Sequence, residues 1–159
     1  MFSMLLVEDD RRTAFAYESL LAAEHPDIAV ETVFCAEDAL LHLSKRNYDL
    51  ILSDFKLPGL DGLGLLVASY CLYSHVPFVL ISAYGDREVE HRAARLGAYA
   101  VLHKPIAPDA LIHVIERALT KGRCAIEQGR ATDRVCDTSI LPQAKKTMAE
   151  ERIKFRNNR

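Results

Sequence analysis

A doubly wound α/β fold, a parallel sheet with helices on both faces, is the class this sequence predicts. Two observations lead there. Short apolar runs alternate with amphipathic ones through the first 120 residues, and strictly alternating βα units imply parallel strands joined by right-handed crossovers. Most of the apolar runs are also nearly continuous rather than alternating, the pattern of strands covered on both faces. At 159 residues the chain holds one sizeable core with some length left over.

In chain order, the first strand is Met4–Val7, followed by the acidic run Glu8-Asp9-Asp10. Asp10 suits the cap of a helix beginning near Arg11, because a short side-chain oxygen accepts the orphan N–H groups of a first turn. The second strand, Ile28–Phe34, alternates in part and so belongs nearer an edge. "AEDALLHLSKR" places Ala36, Leu40 and Leu43 on one helical face. The third strand, Asp49–Ser53, runs into Asp54, and Pro58-Gly59 shapes the turn beyond, Pro fixing φ and Gly allowing φ > 0. Phe78–Ser82 is the fourth strand. "DREVEHRAARLG" is a mostly polar helix with only Val89, Ala93 and Leu96 inward, closed by Gly97 and therefore weakly anchored. Ala98–Leu102 is the fifth strand. The last helix carries the clearest stripe, Leu111, Val114, Ile115, Ala118 and Leu119, with Pro108-Asp109 as its start and Gly122 as its stop.

Composition narrows the class. Residues 1–120 carry 10 Lys+Arg against 17 Asp+Glu, a net charge of −7, whereas residues 121–159 carry 10 against 5, a net of +5. An acidic domain with a basic tail is the pattern, with the division at 1–121 and 122–159. No apolar run approaches the roughly 20 residues of a membrane span, and "MFSMLLVEDDRR" turns acidic too soon for a signal peptide. Cys35, Cys71, Cys124 and Cys136 are scattered without metal-like spacing and read as reduced thiols in a cytoplasmic protein.

In open parallel sheets, ligands bind at the carboxyl ends of the strands. Glu8-Asp9 follow strand one, Asp54 follows strand three, Ser82 ends strand four, and His103-Lys104-Pro105 follow strand five. Taken singly, a strand-end Asp is ordinarily a cap or turn former, a Ser a turn residue and a Lys a solvated charge. Their convergence at one edge changes the reading. Glu8, Asp9 and Asp54 would repel one another unless a cation sits among them, and a hard divalent ion such as Mg²⁺ suits oxygen ligands. An X-Pro bond is the one place where a cis peptide costs little, and a cis bond at Lys104-Pro105 would turn the ammonium back toward Asp54.

"LLVEDD", "LILSDFKLPGLDG", "VLISAYGD" and "LGAYAVLHKPI", in that order, resemble the receiver domains of two-component response regulators over about residues 3–120. The resemblance implies a flavodoxin-like receiver fold with a five-stranded sheet of order 2-1-3-4-5, an order for which a chemotaxis receiver is a known example. It also implies that Asp54 accepts a phosphoryl group from a histidine kinase or phosphotransfer protein. Asp9 and Asp54 would ligate Mg²⁺ directly, Glu8 through water, and the backbone carbonyl of Lys56 would be the third protein ligand. Ser82 matches the switch hydroxyl and Lys104 the lysine that pairs first with the acceptor and then with the phosphoryl oxygens. Phosphorylation would switch the Ser82 loop and the 86–96 helix, and the family often forms a phosphorylation-dependent homodimer through helix four, strand five and helix five. One departure is Val101, where many receivers place an aromatic ring; Tyr99, two residues earlier, shares its sheet face if the strand is regular.

The domain is thus expected to be a phosphoacceptor that assists its own phosphorylation and dephosphorylation rather than an enzyme. A small-molecule phosphatase working through an aspartyl-phosphate would need a second acid two residues after the nucleophile, where Lys56 stands. Residues 122–159 read as linker followed by a short basic helix in "AKKTMAEERIKFRNNR". A disordered or crossover segment is the first reading of this tail, and a docking or nucleic-acid-contacting arm the lesser alternative.

Overall fold

The computed structural model describes residues 1–72, 76–83 and 85–127, with the side chains of Leu72 and 121–127 left out. The rest of the tail, including its expected basic helix, lies outside the described residues. Five strands alternate with five helices: β1 Phe2–Val7, α1 Arg11–Glu24, β2 Ile28–Val33, α2 Ala36–Leu43, β3 Leu50–Asp54, α3 Gly62–Leu72, β4 Phe78–Ala83, α4 Arg87–Leu96, β5 Ala100–Lys104 and α5 Pro108–Glu127. All ladders are parallel and the order is β2-β1-β3-β4-β5, as the resemblance implies.

The central strands explain the continuous apolar runs. In β3 every residue from Leu50 to Asp54 is buried. Its side chains leave alternately to two apolar clusters, because successive strand residues face opposite sides of a sheet. One cluster joins Leu5, Val7, Ile51 and Leu80 to α2, α3 and α4 through residues such as Leu40, Leu66 and Val89. The other joins Met4, Leu6, Leu52 and Ile81 to α1 and α5 through Leu21, Leu111 and Ile115. Helix α3 shows no stripe in sequence, since Leu63, Leu65, Leu66, Val67 and Ala68 are all buried.

Asp10 caps α1 as expected, its carboxylate accepting the N–H groups of Arg12 and Thr13 at 3.2 and 3.3 Å. Most strand boundaries shift by one or two residues, and two shifts have consequences. Strand β5 begins at Ala100 rather than Ala98, because the Ala98 N–H donates to Ala93 O and closes α4 around Gly97, which sits at φ 96°. Tyr99 consequently precedes the strand, and the period-two expectation does not reach it. It packs against the α1/α5 cluster, whereas Val101 packs against the α2/α3/α4 cluster, so the two do not share a face. Helix α5 continues through Gly122 to Glu127; an interior glycine costs a helix only about 1 kcal/mol relative to alanine.

Cys35 is a free thiol, but Cys71 is disulfide-bonded, its other half lying outside the described side chains. The expectation of four reduced thiols fails there, because spacing along the chain carries no information on which cysteines folding brings together.

Candidate functional site

The register sets the site. Val7 pairs with Ser53, Asp54 with Ile81, and Ala83 with Lys104, so β1, β3 and β5 end at the same edge. The apolar run Leu50-Ile51-Leu52 anchors β3 and holds Asp54 as the strand's last residue, one step beyond a buried Ser53 whose hydroxyl donates to the Asp54 carbonyl at 2.9 Å.

Carboxylate oxygens of Glu8, Asp9 and Asp54 lie within 4.8 Å of one another. The Lys104 ammonium bridges two of them, 3.0 Å from Glu8 Oε2 and 3.1 Å from Asp54 Oδ2. Sequence reasoning anticipated the pair with Asp54 but not the second contact with Glu8. The peptide bond after Lys104 is cis. Glu8 is almost fully buried, Asp54 nearly so, and Asp9 is exposed. Burial pushes the Glu8 carboxyl above its ordinary range, and the neighbouring Asp54 charge adds to this, while Lys104 opposes it. For Lys104, burial works against the ammonium, but its contacts with Glu8 and Asp54 outweigh burial and raise its pKa.

Three carboxylates facing one ammonium leave two uncompensated negative charges if all are ionised. The donor set is all hard oxygen, partly buried and partly open through Asp9, which fits a divalent cation that keeps some of its waters.

The other expected residues are also located. Ser82 lies one residue past the register partner of Asp54, fully buried, with its Oγ unpartnered. Lys56 directs an exposed side chain away from the core in the segment after Asp54, as suits a residue expected to act through its carbonyl.

Two supports of the acceptor loop were not read from sequence. Glu37, on α2, accepts the Leu60 N–H at 3.2 Å and ties the loop down across 23 residues of sequence. A Cβ on Gly62 would stand 2.4 Å from the Asp54 carbonyl oxygen and 2.8 Å from Leu80 Cδ1, so only glycine lets α3 start against the end of β3. The glycine was visible in "LDG", but the close approach that requires it depends on the tertiary fold.

Sheet order, acidic cluster and bridging lysine together define a doubly wound α/β domain with a carboxylate–lysine site at its strand ends. The family model described as response regulator receiver domain matches residues 4–116, and the chain belongs to that family. Among curated relatives, the response regulator protein FleR of Pseudomonas aeruginosa is 41% identical over 117 residues, covering 72% of this chain and 24% of that protein. The C4-dicarboxylate transport transcriptional regulatory protein DctD of Rhizobium meliloti is 31% identical over 154 residues, covering 96% of this chain and 33% of that protein. The chain thus spans a third or less of these relatives' length. Among solved structures, NtrX from Brucella abortus superposes with a TM-score of 0.74 at 33% identity, over 80% of this chain and 29% of that one. A response regulator receiver domain protein from Clostridium thermocellum superposes at 0.73 and 21% identity, over 78% and 98% of the two chains, which shows the fold alone.

Proposed function

We infer that this receiver domain is a phosphorylation switch in which Asp54 takes a phosphoryl group from a phosphohistidine on a histidine kinase or phosphotransfer protein. The observation that carries the reading is the Lys104 ammonium 3.1 Å from an Asp54 carboxylate that stands at the end of a fully buried strand, inside a three-carboxylate cluster. An Asp54 oxygen attacks phosphorus, the phosphorus–nitrogen bond breaks, and the donor imidazole leaves, giving an aspartyl-phosphate. Bound Mg²⁺ supplies the charge neutralisation that lets one anion approach another.

Asp9 and Asp54 would hold that ion, with Glu8 and the Lys56 carbonyl as further ligands. Lys104 exchanges its contact with the Asp54 carboxylate for one with the new phosphoryl oxygens. Ser82, buried and unpartnered, gains an acceptor when its hydroxyl turns toward that group, and this displaces the loop after β4 and helix α4. The reaction is one event per switch cycle with assisted hydrolysis, in a cytoplasmic setting, rather than turnover of a small substrate. The names of FleR and DctD support a regulatory output, read by a partner or by a second copy of the chain on the α4–β5–α5 side.

Incubation with acetyl phosphate and Mg²⁺ adds one phosphoryl group to the native protein and none to Asp54→Asn, as intact-mass spectrometry will show. Chelating the cation abolishes the addition. An unlabelled native protein, or a labelled Asp54→Asn, contradicts the reading.

A further inference from the structure

The chain holds four cysteines, and the fold treats them unequally. Cys35, at the start of α2, is a free thiol, and burial pushes its pKa up to about 11, which leaves little thiolate at neutral pH. Cys71, half-buried at the last position but one of α3, is disulfide-bonded. Within one chain its partner is therefore Cys124 or Cys136, and both lie beyond residue 120. Helix direction puts that part of the chain within reach. Helix α3 runs back from the end of β3 to the start of β4 and so ends at the edge where the strands begin. Helix α5 arrives at the same edge, where Leu119 and Thr120 line one cavity with Phe2 and Ile28, the first residues of β1 and β2.

A second contact sits beside the bond. Tyr70, one residue before Cys71, donates its hydroxyl to the Gly97 carbonyl at 2.8 Å. Gly97 closes α4, whose only fully buried residues are Val89 and Ala93. The last turn of α3 thus holds the end of α4 through Tyr70 and the chain beyond residue 120 through Cys71. In the cytoplasmic setting proposed above, glutathione and thioredoxin keep thiols reduced, so a disulfide there is ordinarily one that forms and breaks with redox state rather than a permanent staple.

We propose that Cys71 is a redox modification site, at which a reversible disulfide tethers the end of α3 to the chain beyond residue 120. To form it, two cysteine thiols give up two protons and two electrons as the sulfur–sulfur bond closes. A glutathione disulfide takes them up and leaves as two glutathione thiols, and excess glutathione reverses the exchange. The closed tether steadies the last turn of α3 and, through Tyr70 and Gly97, the thinly anchored end of α4. The open form releases the basic part of the chain and loosens both helix ends.

The test uses the whole chain, equilibrated in glutathione buffers of differing thiol-to-disulfide ratio, then acid-quenched, alkylated and mapped by peptide mass. Raising glutathione disulfide joins the Cys71 peptide of the monomer to one carrying Cys124 or Cys136, raising glutathione separates them, and Cys35 is recovered as a free thiol throughout. Amide hydrogen exchange over 66–72 and 93–98 is about three- to tenfold faster in the reduced protein, the mark of a less anchored segment, while 11–24 is unchanged. Cys71→Ser exchanges like the reduced protein in both buffers. So does whichever of Cys124→Ser and Cys136→Ser removes the partner, with α3 itself untouched. A bond that glutathione does not reduce, a link to Cys35 or between two chains, or exchange that ignores the redox state overturns the tether. None of these outcomes bears on labelling of Asp54 by acetyl phosphate, so the phosphoacceptor reading stands or falls separately.

Discussion

Glu8 is the residue on which the electrostatics of the cluster turn. It is buried beside Asp54 and Asp9, and it is compensated by the Lys104 ammonium and by the Asp10 N–H, which donates to its Oε1 at 3.4 Å. Its folded-state pKa is raised, so its ionised form destabilises the cation-free protein. That penalty is complete above the raised value and disappears as pH falls below the ordinary carboxyl value of 4.5. Glu8→Gln is therefore more thermostable than native protein at pH 7 without a divalent cation, and the difference closes toward pH 4. The same substitution weakens Mg²⁺ binding by about 10- to 100-fold, the usual cost of losing an outer-shell partner. A thermal-shift titration at both pH values checks both statements. In the proposed switch, the acid that is costly to ionise without a cation is also one that would help hold the cation.

At the scale of elements, two contacts decide how the site is held and how it moves. Helix α3 begins against the end of β3 at Gly62, and a methyl group there has backbone and Leu80 in its way. Gly62→Ala is expected to lose about 1–3 kcal/mol of stability in urea denaturation, the range for forced overpacking. Helix α4 is the contrasting case, with Val89 and Ala93 its only fully buried residues. Its amides, at 87–96, should exchange roughly tenfold or more faster than those of α3, as expected of a segment with few apolar anchors. That weak anchorage was legible in "DREVEHRAARLG", because burial of a surface helix follows its stripe. The start of β5 was not legible: Ala98 and Tyr99 look like strand by apolarity, but the Ala98 N–H is spent on closing α4. Tyr99, ahead of the strand and bonded through its N–H to the Phe78 carbonyl, packs on the α1/α5 side, which side-chain patterning does not encode. Glu37 was illegible for a related reason, its partner at Leu60 being set by how α2 packs rather than by local spacing.

For the whole molecule, alternating apolar runs and the polar residues that follow them were enough to predict a parallel sheet with its chemistry at one edge. The strand order came with the family resemblance, and the bridging of Lys104 to Glu8 came only with the fold, since the two lie 96 residues apart. The described domain is the acidic part of the chain, and the chain covers a third or less of its longer regulatory relatives. Everything proposed for the switch converges on one covalent event at one carboxylate. Protein treated with acetyl phosphate and Mg²⁺ can be reduced with borohydride, which converts an aspartyl-phosphate to homoserine, and then digested and mapped by tandem mass spectrometry. Homoserine at position 54, and at no other aspartate, is the result the account predicts; homoserine at position 9 or 10 instead, or none at 54, would contradict it.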